Sequence, residues 1–161
     1  MNDMSKFCQR VVVLFLFASI TACGGVKSDD LPEKQRTVLG LYLTAQEAYK
    51  LAKKGGNKIM FDVRTPAEAE KGSPRFAINV PILIREKEDN RVVFNTKFVP
   101  TIKEKLKKKG LNEQSVIIMI SNEGKRSARA VNTLAKKEYQ KVYNVVEGFI
   151  GWKKKNLPLS D

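Results

Sequence analysis

The chain has 161 residues, of which 42% are hydrophobic and 29% are charged, a balance that indicates one folded domain with an appendage and excludes a wholly disordered protein. Thirty lysines and arginines oppose 17 aspartates and glutamates, so the net charge of +13 favours anionic partners. There is no histidine, which removes the commonest general base and the commonest metal ligand, and we predict neither a metal nor a cofactor.

The first 22 residues carry the features of a signal peptide in the right order. Lys6 and Arg10 supply positive charge, and residues 11–20 form an apolar run that is short for a bilayer span. The run leads to Ile-Thr-Ala-Cys, which resembles the bacterial lipobox, where the cysteine receives a lipid and the preceding peptide is removed. We therefore predict a lipoprotein signal over residues 1–22 and lipidation of Cys23, with palmitate among the attached acyl chains. A plain signal peptide or a short N-terminal anchor is the alternative.

Lipidation of Cys23 predicts an exported bacterial lipoprotein that is anchored to a membrane and faces the periplasm. Gly24, in place of an aspartate, resembles the pattern that is sent to the outer membrane of a Gram-negative cell. Residues 23–38 are polar and contain glycine and proline, so we predict a lipidated tether there. The folded domain is then expected over residues 39–161.

From about residue 40 the pattern alternates between strands and helices. Thr44 and Glu47 form a capping box that starts a helix, and Gly55 ends it. The predicted strands read LYL, KIMFDV, AINVPI, SVIIMI and KVYNVV. The later predicted helices read FVPTIKEKLKKKG, KRSARAVNTLAKK and GFIGWKKKN. Strands separated by helices indicate an α/β fold with a mostly parallel central sheet flanked by helices.

A short polar loop, SNEGKR, joins the apolar run SVIIMI to the following helix. Ligands of open α/β sheets bind at this position, beyond the carboxyl end of a strand and at the start of a helix. The backbone N–H groups and the helix dipole favour an anion there, and two basic side chains add charge. The predicted anion-binding residues are Ser121, Asn122, Glu123, Gly124, Lys125 and Arg126.

Five motifs in order resemble the rhodanese-like domain family, over about residues 40–158. They are DVRTPAE at 62–68, AINVP at 77–81, GKRSARA at 124–130, YNVVEGFIGW at 143–152 and NLP at 156–158. The resemblance implies a single rhodanese-like domain. In that family a six-residue loop begins with a cysteine, which takes sulfane sulfur from thiosulfate or a persulfide and passes it on. The six-residue length resembles the sulfurtransferases and not the related cell-cycle phosphatases, whose loop has seven residues.

The resemblance places Ser121 on the cysteine position and Asn122 on a common arginine. Gly124 and Arg126 match the loop's glycine and closing arginine, and Ser127 matches the serine that usually follows. By the same resemblance, Asp62 and Arg64 lie near the pocket and brace it; a strand-end ion pair is the other interpretation. Two further departures are Ser73 and Phe76, which stand where the family has a histidine and a glycine.

Serine at position 121 changes the expected chemistry. A hydroxyl is not ionised near neutral pH and needs an adjacent base, and only Glu123 and Asp62 are candidates in a chain without histidine. We therefore expect a membrane-tethered, non-catalytic module that binds an inorganic oxyanion or an acidic partner protein. The alternatives are an enzyme, either sulfurtransferase-like or acting on anionic esters through Ser121, and a purely structural scaffold.

Nucleic acid is not an expected partner, because the chain has a predicted export signal and no aromatic stacking platform.

Overall fold

The computed structural model describes residues 25–86 and 88–160, so the predicted signal peptide and Cys23 lie outside the described residues. The described residues form seven strands: β1 (Tyr42–Leu43), β2 (Lys58–Asp62), β3 (Ala77–Asn79), β4 (Leu83–Arg85), β5 (Val92–Phe94), β6 (Val116–Ile120) and β7 (Val142–Val145). The same residues form five α-helices, α1 (Ala45–Lys53), α2 (Pro66–Ala69), α3 (Phe98–Lys108), α4 (Lys125–Ala135) and α5 (Gly148–Lys154), and two short 3-10 helices, Ser28–Asp30 and Glu33–Gln35.

The central sheet has five strands in the order β1-β7-β6-β2-β3, and every neighbouring pair is parallel. The two apolar runs KIMFDV and SVIIMI supply the adjacent central strands, paired from Lys58 opposite Val116 to Asp62 opposite Ile120. Strands buried on both faces read as continuous apolar runs, which explains this pattern. The predicted α/β class with a mostly parallel sheet is confirmed.

Helices cover both faces of the sheet. On one face α3 and α4 pack against β2 and β6 through residues that include Ile102, Leu106, Val131 and Leu134. On the other face α1 and α5 pack through residues that include Ala45, Ala48, Phe149 and Trp152. Trp152 is fully buried, so it is a core residue and not a binding platform. The capping box of Thr44 and Glu47 is present at the start of α1, as the sequence predicts.

The sequence analysis did not predict the strands β4 and β5 or the helix α2. The antiparallel pair β4–β5 forms a separate two-stranded sheet, and its three-residue strands are too short and too exposed to show a clear alternation. Helix α2 has only four residues, although Thr65 and Glu68 form a second capping box that could have signalled it.

Residues 25–38, the described part of the predicted tether, lie against the domain. Leu31 is buried in a small cluster with Tyr42 and Val146, and Val26 packs against that cluster. The backbone N–H of Val38 donates to Asn132 Oδ1 at 2.9 Å, which fixes the segment to α4. The polar composition of residues 25–38 did not predict that they pack against the domain. Much of the contact is made by backbone groups and side-chain amides, which a polar segment also has when it is solvated. In the described part of the chain, no helix has the length and apolarity of a membrane span.

Candidate anion-binding loop

The loop between β6 and α4 is held in place by glycine and by α5. Gly124, the N-cap of α4, has a φ of 78°, and a Cβ there would lie 2.5 Å from the carbonyl oxygen of Val146. Only glycine fits this position. From the other side, the N–H groups of Phe149 and Ile150 donate to the carbonyls of Ser121 (2.8 Å) and Asn122 (3.2 Å). These two loop carbonyls are therefore occupied by bonds from α5.

The backbone amides of residues 122–126 donate no hydrogen bond within the described residues. They lie at the N-terminus of α4, where the helix dipole adds positive potential. A cavity of about 220 Å³ opens at this point, and its lining comprises Ser121, Asn122, Glu123, Lys125 and Arg126. The structure thus brings five of the six predicted loop residues, all but the buried Gly124, together around one concave space.

Ser121 is not placed as a nucleophile. Its side chain is buried, with 1% of the residue exposed. Its Oγ accepts a hydrogen bond from the Ser127 N–H at 3.1 Å and lies 3.0 Å from the Ser127 hydroxyl. No carboxylate of the described residues hydrogen-bonds to it, so neither candidate base reaches the hydroxyl. Ser127 therefore positions Ser121 rather than activating it.

Arg126 is paired with Glu68, a residue that the sequence analysis did not single out. The guanidinium donates two hydrogen bonds to the carboxylate, at 2.7 and 2.6 Å. These bonds lower the pKa of Glu68 to about 2, and the same contact raises the pKa of Arg126. The pair is partly exposed, with Arg126 at the cavity and Glu68 on α2. Glu68 lies in the DVRTPAE motif, which marks it as part of the family pattern but does not show that it pairs with Arg126.

Glu123 and Lys125 also neutralise each other. The Lys125 ammonium donates to the Glu123 carboxylate at 2.7 Å, and this hydrogen bond lowers the pKa of Glu123. Both side chains are about half exposed, and both residues line the loop cavity. Both basic side chains of the loop are already paired, so the unpaired amides would be the main donors to any anion held there.

Asp62 and Arg64 form a buried ion pair behind the loop. Arg64 donates to the Asp62 carboxylate through Nε and Nη2, the shortest contact being 2.6 Å, and both side chains are almost fully buried. Ser73, at the position of the family's histidine, donates to the same carboxylate at 2.9 Å. The Arg64 guanidinium lies 3.7 Å from the centre of the Phe149 ring. Neither charged residue lines the cavity, so they brace the end of β2 and the helix behind the loop.

Gln35 is a second loop contact that the sequence analysis missed. Its side-chain amide donates to the carbonyl of Glu123 at 2.6 Å, from a segment 88 residues earlier in the chain. Nothing in the local sequence signals such a distant contact. Within the described residues, no group of three or more His, Cys, Asp or Glu side chains is arranged to hold a metal ion.

Comparison with known proteins identifies the family to which this domain belongs. The profile of the rhodanese-like domain matches residues 44–155, so the chain belongs to the rhodanese-like domain family. No curated protein sequence matches it significantly.

Solved structures share the fold at low identity. The polysulfide-sulfur transferase homodimer of Wolinella succinogenes is 23% identical, with a TM-score of 0.56 over 75% of this chain and 78% of that one. A rhodanese-like domain protein of Staphylococcus aureus is 21% identical, with a TM-score of 0.52 over 75% and 99%. Thiosulfate sulfurtransferase of Pseudomonas aeruginosa is 19% identical, with a TM-score of 0.58 over 74% of this chain and 20% of that protein.

Proposed function

We propose that the protein is a rhodanese-like module, anchored to a membrane through Cys23, whose loop 121–126 binds an oxyanion or an acidic group of a partner protein without a covalent step. The observation that carries this proposal is the set of unpaired backbone amides at residues 122–126, aligned on the N-terminus of α4. Such donors suit a sulfate-like, phosphate-like or carboxylate group.

The environment of Ser121 supports binding without turnover. Sulfur transfer needs a thiolate, which attacks the sulfane sulfur of thiosulfate, forms a persulfide and releases sulfite. A serine hydroxyl cannot form that persulfide. Ester hydrolysis through Ser121 would need a base in contact with a hydroxyl that is instead buried against Ser127.

A sulfurtransferase assay on the wild type and on Ser121→Cys tests the proposal. Thiosulfate and cyanide are the substrates, and thiocyanate is measured. We expect no turnover by the wild type. We expect turnover by Ser121→Cys, because the Ser127 N–H and the adjacent amides would stabilise a thiolate at that position. Ser115→Cys places a thiol at another buried serine, at the other end of β6, and serves as the inactive control.

Each outcome bears on a different alternative. Turnover by the wild type would show an enzyme and contradict the proposal. Inactivity of Ser121→Cys would show that the loop does not receive thiosulfate, which would favour the structural scaffold.

A further inference from the structure

A groove runs beside the loop, between residues 33–36 and the exposed face of α4, and it has a volume of about 560 Å³. We call it the α4 groove. Six basic residues line it: Lys34, Arg36, Lys125, Arg126, Arg129 and Lys136. Glu33 is the one acidic residue in its lining. A basic cleft of this kind raises the local concentration of anionic ligands.

The basic residues of α4 form a line that starts at the loop. Lys125, Arg129 and Lys136 are separated by four and seven residues, so they share one helix face. Eleven residues of α-helix span about 16 Å, which sets the length of the line. Lys125 and Arg126 line both the groove and the loop cavity, so the two spaces are adjacent.

Four of these cations have no acidic partner. Lys34, Arg36, Arg129 and Lys136 are all exposed, and in the described part of the chain none lies within 4.0 Å of a carboxylate. Unpaired like charges that line one groove repel each other. An anion in the groove would relieve this repulsion, so the charge pattern suits a ligand with several negative groups.

Residues 33–36, which form the wall of the groove opposite α4, are held in place by hydrogen bonds without a ligand. Gln35 donates to the carbonyl of Glu123 at 2.6 Å, and Asn144 Nδ2 donates to the carbonyl of Gln35 at 3.0 Å. Val38 is bound to Asn132 of α4. These contacts hold the segment that carries Lys34 and Arg36 beside α4. A preformed wall lowers the entropic cost of binding.

The floor of the groove is partly apolar. It includes Leu83, Phe94 and Ala128, and the Arg129 guanidinium lies 5.3 Å from the centre of the Phe94 ring. A concave site with an apolar floor and cationic rims accommodates a chain that carries both carboxylates and an apolar side chain. A flat anionic membrane surface would contact the rims and leave the floor empty.

We infer that the α4 groove binds an extended acidic peptide segment of a partner protein, with one of its carboxylates seated in the loop 121–126. An extended chain advances about 3.3 Å per residue, so five residues match the length of the basic line. This inference rests on the proposed function, because the loop supplies the end of the same binding surface.

Isothermal titration calorimetry of the full chain, in a non-ionic detergent, with the acetylated peptide Glu-Asp-Phe-Asp-Glu tests the inference. Lys136→Glu should weaken peptide binding by about tenfold, because it replaces an attraction with a repulsion far from the loop. Lys107→Glu makes the same charge change on the exposed side of α3 and should weaken binding by less than about threefold. Circular dichroism checks that both variants keep the wild-type fold.

Three results would overturn the inference. One is the absence of peptide binding by the wild type, and another is an equal effect of the two variants, which would show non-specific attraction to a basic protein. The third is failure of Lys136→Glu to weaken peptide binding while it weakens binding to phosphatidylglycerol vesicles, which would assign the groove to a membrane surface.

A parallel titration with thiosulfate separates this inference from the proposed function. If thiosulfate binds the wild type and Lys136→Glu equally and the peptide binds neither, the groove is not a peptide site and the loop proposal stands. If neither thiosulfate nor the peptide binds the wild type, both proposals fall.

Discussion

At position 121 one atom separates the serine that is present from the thiol that sulfur transfer requires. The surroundings of that atom are still suited to negative charge, since the Ser127 N–H points at Oγ and the neighbouring amides are unpaired. Under the proposed function, serine at position 121 removes the reactive thiol and leaves these hydrogen-bond donors in place. A loop that keeps these hydrogen-bond donors but lacks an ionisable nucleophile is suited to holding an anion without cleaving it.

Glu68 gives the first prediction, which concerns pH. Its pKa is about 2 in the folded protein, below the ordinary value of 4.5, because Arg126 donates hydrogen bonds to the carboxylate. A lowered folded-state pKa adds stability above about pH 4.5, and that stability is lost as the pH falls towards 2. In Glu68→Gln this dependence is absent, while the amide still serves the capping box with Thr65.

Urea unfolding of the wild type and Glu68→Gln at several pH values measures this effect. Because Glu68 is more than a third exposed, solvent screening reduces the effect. We expect the stability advantage of the wild type to shrink by about 1–2 kcal/mol between about pH 5 and pH 2.5. A constant difference across that range would show that the pair contributes nothing to folding.

Between elements, the close approach of α5 to the loop gives the second prediction. Gly148 has a φ of 58°, and a Cβ there would lie 2.6 Å from the Ser121 carbonyl oxygen and would overlap the Asn122 carbonyl. Gly148→Ala should cost about 2–4 kcal/mol of unfolding free energy, because strain and displacement of the loop add together. Urea denaturation measures the loss.

Gly110→Ala is the matched control for Gly148→Ala. Gly110 has a φ of 66°, but a Cβ there would meet no atom within 4 Å. Its substitution reports backbone strain alone and should cost about 1–2 kcal/mol. Equal losses in the two variants would mean that the contact between α5 and the loop is not tight.

The elements also show what a sequence can reveal. The capping box at Thr44, the apolar runs of β2 and β6 and the buried face of α4 are local patterns, and each predicted its element. The loop 121–126 was found for the same reason, since its six residues are contiguous. The pairing of Arg126 with Glu68 and the contact from Gln35 join residues 58 and 88 positions apart, so no local pattern encodes them.

For the whole molecule, the anchor at Cys23 remains a prediction from the sequence. The docked segment places Val26 against the domain near Val146. Val26 follows Cys23 by only three residues, so a lipid on Cys23 would hold the domain close to the membrane.

The protein expressed in a bacterial host should incorporate labelled palmitate. Cys23→Ser should abolish the incorporation, and Cys8→Ser, which alters a residue of the predicted signal, should retain it. Incorporation by Cys23→Ser would refute the lipidation site.

The central claim is that the loop binds an oxyanion through its backbone amides. A titration of the ¹⁵N-labelled full chain with thiosulfate, in non-ionic detergent and at constant ionic strength, tests it most directly. We predict saturable shifts of the amide resonances of residues 122–126, larger than those elsewhere and absent when chloride replaces thiosulfate. Uniformly small shifts, or equal shifts with chloride, would contradict the claim and leave the loop as a structural turn.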